Sequence, residues 1–256
     1  MEKKAVFKEL LDKFETEEMR LYCEDMIEKI PDYFFTMPSS TSGKFHNATQ
    51  CQPHGQVYHA IMFGAIMNYR LALKCNQEKF KSPVQRDAMR CVPIFHDAIK
   101  CGWDGSQYTV HEHPMLAGAW VRETHVKHDI DDKIKERIAH MCERHSGEWT
   151  TSKRSTVVLP EPENDMEILV HECDILSSRS DIDMQPSEYL KSVFGEEPED
   201  LPDIETYRLD FGKMKGMTIP EIAEKDITYL TWARDNMYKM PAAALIKKYL
   251  SEREES

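Results

Sequence analysis

His59, the adjacent pair His96-Asp97, His113, His145 and Asp174 are spread along the chain, and their side chains are of the types that bind divalent first-row metals. His96-Asp97 offers an imidazole nitrogen and a carboxylate oxygen from one short segment, and that segment is apolar: CVPIFHDAIKCG. An ionisable pair in such a setting costs free energy unless an opposite charge or a metal matches it. The other members also interrupt apolar or structured segments: His59 in VYHAIMFGA, His113 before Pro114 in HEHPMLAGAW, His145 in ERHSGEW and Asp174 in ILVHECDILSSR. Polar residues recurring where apolar packing is expected point to a shared polar centre. If the fold gathers them, the centre suits metal-assisted hydrolysis; if it does not, the chain is a helical protein rich in histidine.

Other residues carry weaker signals. His46, His54, His125 and His128 read as surface or hydrogen-bonded histidines, and the carboxylates of THVKHDIDD as helix-capping charge. His171 lies three residues before Asp174, hence on the same helical face, as a partner behind the metal ligands or as a packed histidine. Lys100, Lys153, Arg154 and Arg179 are the cations placed to meet a phosphate, weighed against the solvated surface charge that most Lys and Arg become. Lys100, one helical turn from His96, and Arg179, trailing Asp174, are preferred. Trp103 and Trp149 read as core or rim packing, with base stacking as the alternative.

These residues need helices to position them. Apolar residues recur at helical spacing from Val6 to Ile30, where Pro31 closes the region. The polar loop PSSTSGKFHNATQCQPHG follows. Helices are then predicted over Gln56–Leu73, Pro83–Lys100, Pro114–Thr124, Asp131–His145 and Met166–Arg179. Few segments alternate with a strand period, so the body reads as mainly α. The acidic EEPEDLPDIE, residues 196 to 205, reads as a linker or surface loop ahead of a short C-terminal segment.

Composition narrows the classes. The chain has 256 residues and a formal net charge of -12, which argues against electrostatic wrapping of duplex nucleic acid. No stretch is long and apolar enough to span a membrane, and the charged N-terminal residues lack a signal-peptide apolar region, so a cytoplasmic protein is expected. The seven cysteines form no CxxC pair, which fits reduced, packed thiols. Nothing in the sequence sets an oligomeric state.

The order His, His-Asp, His, His, Asp, with the wording HDAIKCG, HPMLAGAWV, HSGEW followed by TSKRSTVVLP, and VHECDILSSR, resembles the HD superfamily of metal-dependent phosphohydrolases, of a kind common in bacteria and their phages. The resemblance covers about residues 40 to 182. It implies an all-α HD core, metal ligation by His59, His96, Asp97 and Asp174, and a second metal held by His113 and His145. His140 competes with His145 for that role, and the HSGEW wording favours His145; His140 and His171 are then candidates for partners behind the ligands. The imidazole-rich set implies one or two ions of Mn, Fe, Co, Ni or Zn. Asp97 would bridge them and, with Lys100, serve catalysis by a metal-bridged hydroxide; Lys100, Lys153, Arg154 and Arg179 would hold phosphate.

The segment LDFGKMKGMTIPEIAEKDITYLTWARDN is similar to a small module seen alone and appended to nucleases and phage proteins, by its FGKxKG and YLxW wording. Its Gly-Lys steps suit either phosphate binding or turn geometry. The expected organisation is an all-α HD phosphohydrolase domain over 1–195, an acidic linker over 196–206 and a small α+β module over 207–256. The expected activity is hydrolysis of a phosphate ester on a small nucleotide-like substrate, in the cytoplasm of a bacterium or an infected bacterial host. Alternatives are a 3'-5' exonuclease or phosphodiesterase on short single-stranded nucleic acid, a di-iron oxygenase with the same ligand set, and a non-catalytic scaffold.

Overall fold

The computed structural model describes residues 2–40, 46–106, 108–179, 181–182, 202–236 and 241–254. The molecule is mainly α, as expected, and no strand or sheet occurs among the described residues. The β component of the C-terminal part is an isolated antiparallel bridge between Arg208 and Thr218. No helix among the described residues is long and apolar enough to cross a membrane. Residues 183–195, and residues 196–201 of the expected linker, lie outside the described residues.

The apolar repeat from Val6 to Ile30 folds as two single-turn helices, α1 (Lys3–Val6) and α2 (Lys8–Leu11), and then α3 (Glu17–Ile27). The chain breaks before α3 because a distant carboxylate claims its backbone donors. Asp87, fully buried, accepts from Glu15 N at 3.0 Å and from Thr16 N and Oγ1, each at 2.8 Å, and pairs with Arg90 at 2.7 Å. This ties the N-terminal region to the helix that carries the His-Asp pair.

That helix is α6 (Pro83–Phe95), preceded by α4 (Gly55–Ala72) and α5 (Lys74–Lys79). It starts on Pro83, whose missing N–H costs nothing at a first helical position. It ends at Phe95 and not at Lys100. Pro93, near its end, has no N–H for the carbonyl one turn back. Beyond it the chain tightens into turns with Ala98 N bonded to Phe95 O and Lys100 N to Asp97 O, both at 3.0 Å. Then follow α7 (His113–Glu123), α8 (Asp132–Glu143) and α9 (Asp165–Ser178). Asp131 caps α8 through Lys133 N at 2.9 Å, and Asn164 caps α9 through Met166 N at 3.0 Å.

α4 is the central element: it packs against α6 and α9, while α8 packs against α6 and α7. Phe7, Tyr22, Phe34, Phe63, Met67 and Phe95 are fully buried in the core these helices share. The entry to α4 is a close backbone crossing. A Cβ on Gly55 would lie 2.0 Å from Gln50 O, and the crossing is pinned by Ser39 N to Gln50 O at 2.8 Å and Gln56 N to Met37 O at 3.1 Å.

The C-terminal part has its own buried cluster, including Leu209, Met214, Ile219, Ile222, Leu230 and Leu245. It is built on α10 (Ile219–Asn236) and α11 (Ala242–Glu254), which pack together. α10 kinks at Asp226, which leaves helical geometry and caps the following half through Thr228 Oγ1 at 2.6 Å and Tyr229 N at 3.2 Å. Ahead of α10, FGKMKG is a turn closed by Gly216 N to Leu209 O at 2.7 Å, with Gly212 and Gly216 at φ 73 and 87.

Asp87→Ala would take the buried acceptor away from three donors of the α3 entry and from Arg90. The expected loss is ~3–5 kcal/mol, the range for removing one partner of a buried ion pair. Urea unfolding should show it as a lowered midpoint at an unchanged slope.

Candidate metal centre

Five helices deliver the polar residues to one place. His59 comes from the first turns of α4, His96 and Asp97 from the exit of α6, His113 from the first residue of α7, His145 from just past α8, and Asp174 from α9. His59 Nε2 lies 3.1 Å from His96 Nε2 and 3.0 Å from Asp174 Oδ1. His113 Nε2 lies 3.3 Å from His145 Nε2 and 3.0 Å from Asp97 Oδ1. His96 Nε2 sits between the two halves, 3.4 Å from Asp97 Oδ2 and 3.8 Å from Asp174 Oδ1. Two groups of donor atoms, His59/His96/Asp174 and His96/Asp97/His145, each lie within 4.8 Å of one another.

The other ring nitrogens settle the tautomers. His96 Nδ1 faces Pro93 O at 3.1 Å, His113 Nδ1 faces Val110 O at 2.8 Å and His145 Nδ1 faces Cys142 O at 2.7 Å. A carbonyl only accepts, so Nδ1 carries the proton in each ring and the neutral imidazole turns a bare Nε2 inward. His59 follows the same logic: Ser177 Oγ donates to Asp174 O at 2.7 Å, so it accepts from His59 Nδ1 at 3.1 Å. Bare nitrogens 3.1–3.3 Å apart, beside carboxylates, repel unless a proton or a cation lies among them. Asp97 Oδ1 is buried with no hydrogen-bond donor. This donor set fits one or two divalent ions of the borderline kind, with the outer hydrogen bonds that metal-bound imidazoles use.

The electrostatics agree. Burial would raise Asp97, but Lys100 and His96 hold it well below the usual carboxylate range. Burial likewise opposes His59 and His96 at Asp174, which also ends far below that range. His96 is raised, because Asp97 and Asp174 outweigh its burial. His145 is pushed down to about 3 by burial and by His96.

His59, Asp97, His113, His145 and Asp174 line a cavity of about 790 Å³, and His96 is buried behind them. The expected phosphate-facing cations divide there. Lys100 is buried on Asp97 Oδ2 at 2.6 Å, with Ser39 Oγ at 3.3 Å; it stands one tight turn from Asp97 rather than one helical turn from His96. Arg179 lines the cavity but is paired with Asp181 at 2.7 Å. Arg154 lines it with no carboxylate partner among the described residues. Lys153 is exposed and is not part of the lining.

His140 is set apart from the cluster, paired with Glu136 at 2.8 Å. His171 stands behind it, with Nδ1 on His145 O at 2.7 Å and Nε2 on Glu148 Oε2 at 3.0 Å. Trp103 and Trp149 are both more than half exposed; Trp149 is at the cavity rim and neither is a core residue. His125 and His128 pair with Asp129 and Asp25, and His54 Nδ1 with Phe35 O, in keeping with their reading as hydrogen-bonded residues.

His46 corrects the expectation of a surface or hydrogen-bonded residue. It lines the cavity with its ring 5.1 Å from His59, its Nδ1 has no partner, and burial pushes it down to about 2. Gln56, which donates to Asp97 Oδ2 at 2.9 Å, and Ser177 carried no motif in the sequence. A Gln directly before the apolar run of α4, and a Ser three residues after Asp174 on one helical face, were the available signals.

Comparison with known proteins bears on the other end of the chain. Residues 209–237 match the family described as Exodeoxyribonuclease X-like C-terminal. No curated protein and no solved structure matches the chain. The C-terminal segment is thus similar to a nuclease-associated module, and the match covers a small part of the chain.

His96→Ala and Asp97→Ala should each abolish metal retention, read by elemental mass spectrometry, while far-ultraviolet circular dichroism keeps most of the helical signal. The metal-free protein should also lose stability in acid. His46, His59 and His145 have folded pKa values below the ordinary imidazole value, so the unfolded chain binds more protons as pH falls below ~6.5. Stability then falls from ~6.5 towards 3, with the raised His96 opposing in part. Urea midpoints at pH 7 and pH 5 would check the sign.

Proposed function

We propose that this chain is a metal-dependent phosphohydrolase of the HD type, acting on a phosphate ester of a nucleotide or related phosphomonoester or diester. One observation carries the reading: His59, His113, His145, Asp97 and Asp174 line a cavity large enough for a nucleotide, with His96 buried among them. In this reading residues 1–195 are the hydrolase unit and 207–256 an appended module, joined by 196–206.

His59, His96 and Asp174 would hold one divalent ion, and Asp97, His113 and His145 a second, with His96 and Asp97 between the two. Bound there, such ions supply Lewis acidity towards phosphoryl oxygens and a water acidified towards neutral pH. The chain's own residues do the remaining work. Gln56 and Lys100 both bond Asp97 Oδ2, which fixes the carboxylate and leaves Oδ1 facing His113 and His145. The carbonyls behind His96, His113 and His145 keep each ring in its donor tautomer, so no reorganisation is needed when substrate arrives. Arg154 faces the cavity with its charge uncommitted among the described residues and would bind a phosphate oxygen pair. Lys100 moderates the negative charge of Asp97 instead of meeting substrate first.

The similarity of residues 209–237 to a nuclease-associated segment favours a second reading, in which the ester lies at the end of a short single strand. Exposed Lys213 and Lys215 on the FGKMKG turn would then hold the strand's backbone. The net charge of -12 speaks against tight duplex binding, though not against single strands.

The purified chain supplied with Mn²⁺ should release phosphate or nucleotide from a panel of mono- and oligonucleotides. Asp97→Asn should lower kcat by more than ~10²-fold, beyond the usual cost of losing a partner behind a ligand. Arg154→Ala should raise KM about tenfold. No turnover on any nucleotide class, at full metal loading, would sink the hydrolase reading; oxygen uptake by the iron-loaded protein would replace it with the oxygenase. A Lys213→Ala/Lys215→Ala chain that loses oligonucleotide cleavage and keeps mononucleotide turnover would favour the second reading.

A further inference from the structure

We infer that Trp149 is a base-stacking platform that makes this cavity select phosphate esters bearing a nucleobase. The inference rests on the phosphohydrolase reading above and names what that site recognises beyond phosphate. Trp149 is 58% exposed, yet it lines the same cavity as the metal-type donors. A single exposed apolar residue needs no explanation by itself. This one is held in place by a chain of contacts that starts at the metal centre.

His145 O accepts from His171 Nδ1 at 2.7 Å, and His171 Nε2 meets Glu148 Oε2 at 3.0 Å. The His171 ring lies T-shaped against the Trp149 indole, with centroids 5.9 Å apart. Gly147, between them, has φ 58, and a Cβ there would fall 1.9 Å from the His171 ring. The backbone then bonds Trp149 N to Ser146 O at 3.2 Å and Leu159 N to Thr150 O at 2.8 Å. The indole is therefore fixed on a turn that begins at a metal-type ligand, with its exposed surface left to the cavity mouth.

The opposite loop is locked to this one. His111 Nε2 reaches Val157 O at 3.2 Å, and Ser155 Oγ donates to Glu112. That loop brings Tyr108, 58% exposed, to the same lining. Arg154 lies on the Trp149 loop. An immobile indole, a second aromatic ring and a guanidinium around one mouth match the chemistry of a base joined to phosphate: stacking for the ring, charge for the phosphate. Glycerol phosphate, by contrast, presents no ring to the indole face.

The test compares kcat/KM for a nucleoside monophosphate, a dinucleotide and glycerol phosphate, in Mn²⁺-loaded full-length protein. Base stacking is worth ~1–3 kcal/mol, or about 5- to 150-fold. The wild-type chain should prefer the base-bearing esters by a factor in that range. Trp149→Ala should collapse the preference towards unity, and Trp149→Phe should recover much of it. Preference for the dinucleotide over the monophosphate would place the stacked base next to an internucleotide phosphate. An equal fall on all three esters, or an unchanged preference in Trp149→Ala, would overturn the inference while leaving the hydrolase reading intact. Absence of turnover on every ester would instead overturn the hydrolase reading, and the stacking would fall with it.

Discussion

Everything in this fold answers to one electrostatic conflict. Four imidazoles and two carboxylates are driven together inside a helical core, with ring nitrogens 3.1–3.3 Å apart and no protein proton assigned between them. Left to itself such a group would push the helices apart. Helix packing opposes that: the residues lie at helix ends or first turns, where the backbone is already committed to the core through α4, α6, α8 and α9. The same conflict raises His96 and depresses Asp97 and Asp174: positive charge is favoured beside the two carboxylates, and Lys100 supplies part of it.

The backbone does much of the positioning, and this explains why the local structure departs from regular helix where it does. α6 gives way to tighter turns after Phe95, and there the carbonyls of Val92 and Pro93 face His96 Nδ1. His145 uses Cys142 O in the same way just beyond α8, and His113 uses Val110 O just before α7. Each ring thus takes its tautomer from an unsatisfied carbonyl or turn, the one resource that helix ends supply freely. The Asp87 network lies outside this set, yet it protects it, since it ties the α3 entry to the same α6 whose exit carries the His-Asp pair.

What was legible in the sequence follows from burial contrast. His59, His96, Asp97 and Asp174 stood out because they interrupt apolar runs, and helix periods placed the elements within a few residues. His46 was illegible because it lies in a mostly polar loop with no periodicity, and its place on the cavity beside His59 is a long-range contact that no local pattern marks. Lys100 lines the cavity from a segment of tighter turns, which the helical period extended past Phe95 did not show, and it pairs there with Asp97. The sequence left Trp149 between core and rim packing because composition cannot tell a core indole from one held at a rim by a histidine of another helix. The C-terminal module was legible as wording, and its structure shows most of that wording serving turn and cap geometry: Gly212 and Gly216 for positive φ, Asp226 for the second half of α10.

The charge balance of the cavity links the centre to its substrate. Asp97 and Asp174 set two carboxylates against the one ammonium of Lys100, with the raised His96 beside them. Two divalent ions would carry the centre well into positive charge, which a dry site tolerates only when an anion follows. A phosphate ester supplies that anion, and Arg154 at the mouth adds attraction without a carboxylate to cancel it. In the proposed reading the net charge of -12 would disfavour the extended polyanion of duplex nucleic acid while the metal-loaded centre would still attract a short anion. A mononucleotide and a strand end would offer that centre the same kind of ester, and the exposed Lys213 and Lys215 of the FGKMKG turn would tip the preference towards the strand.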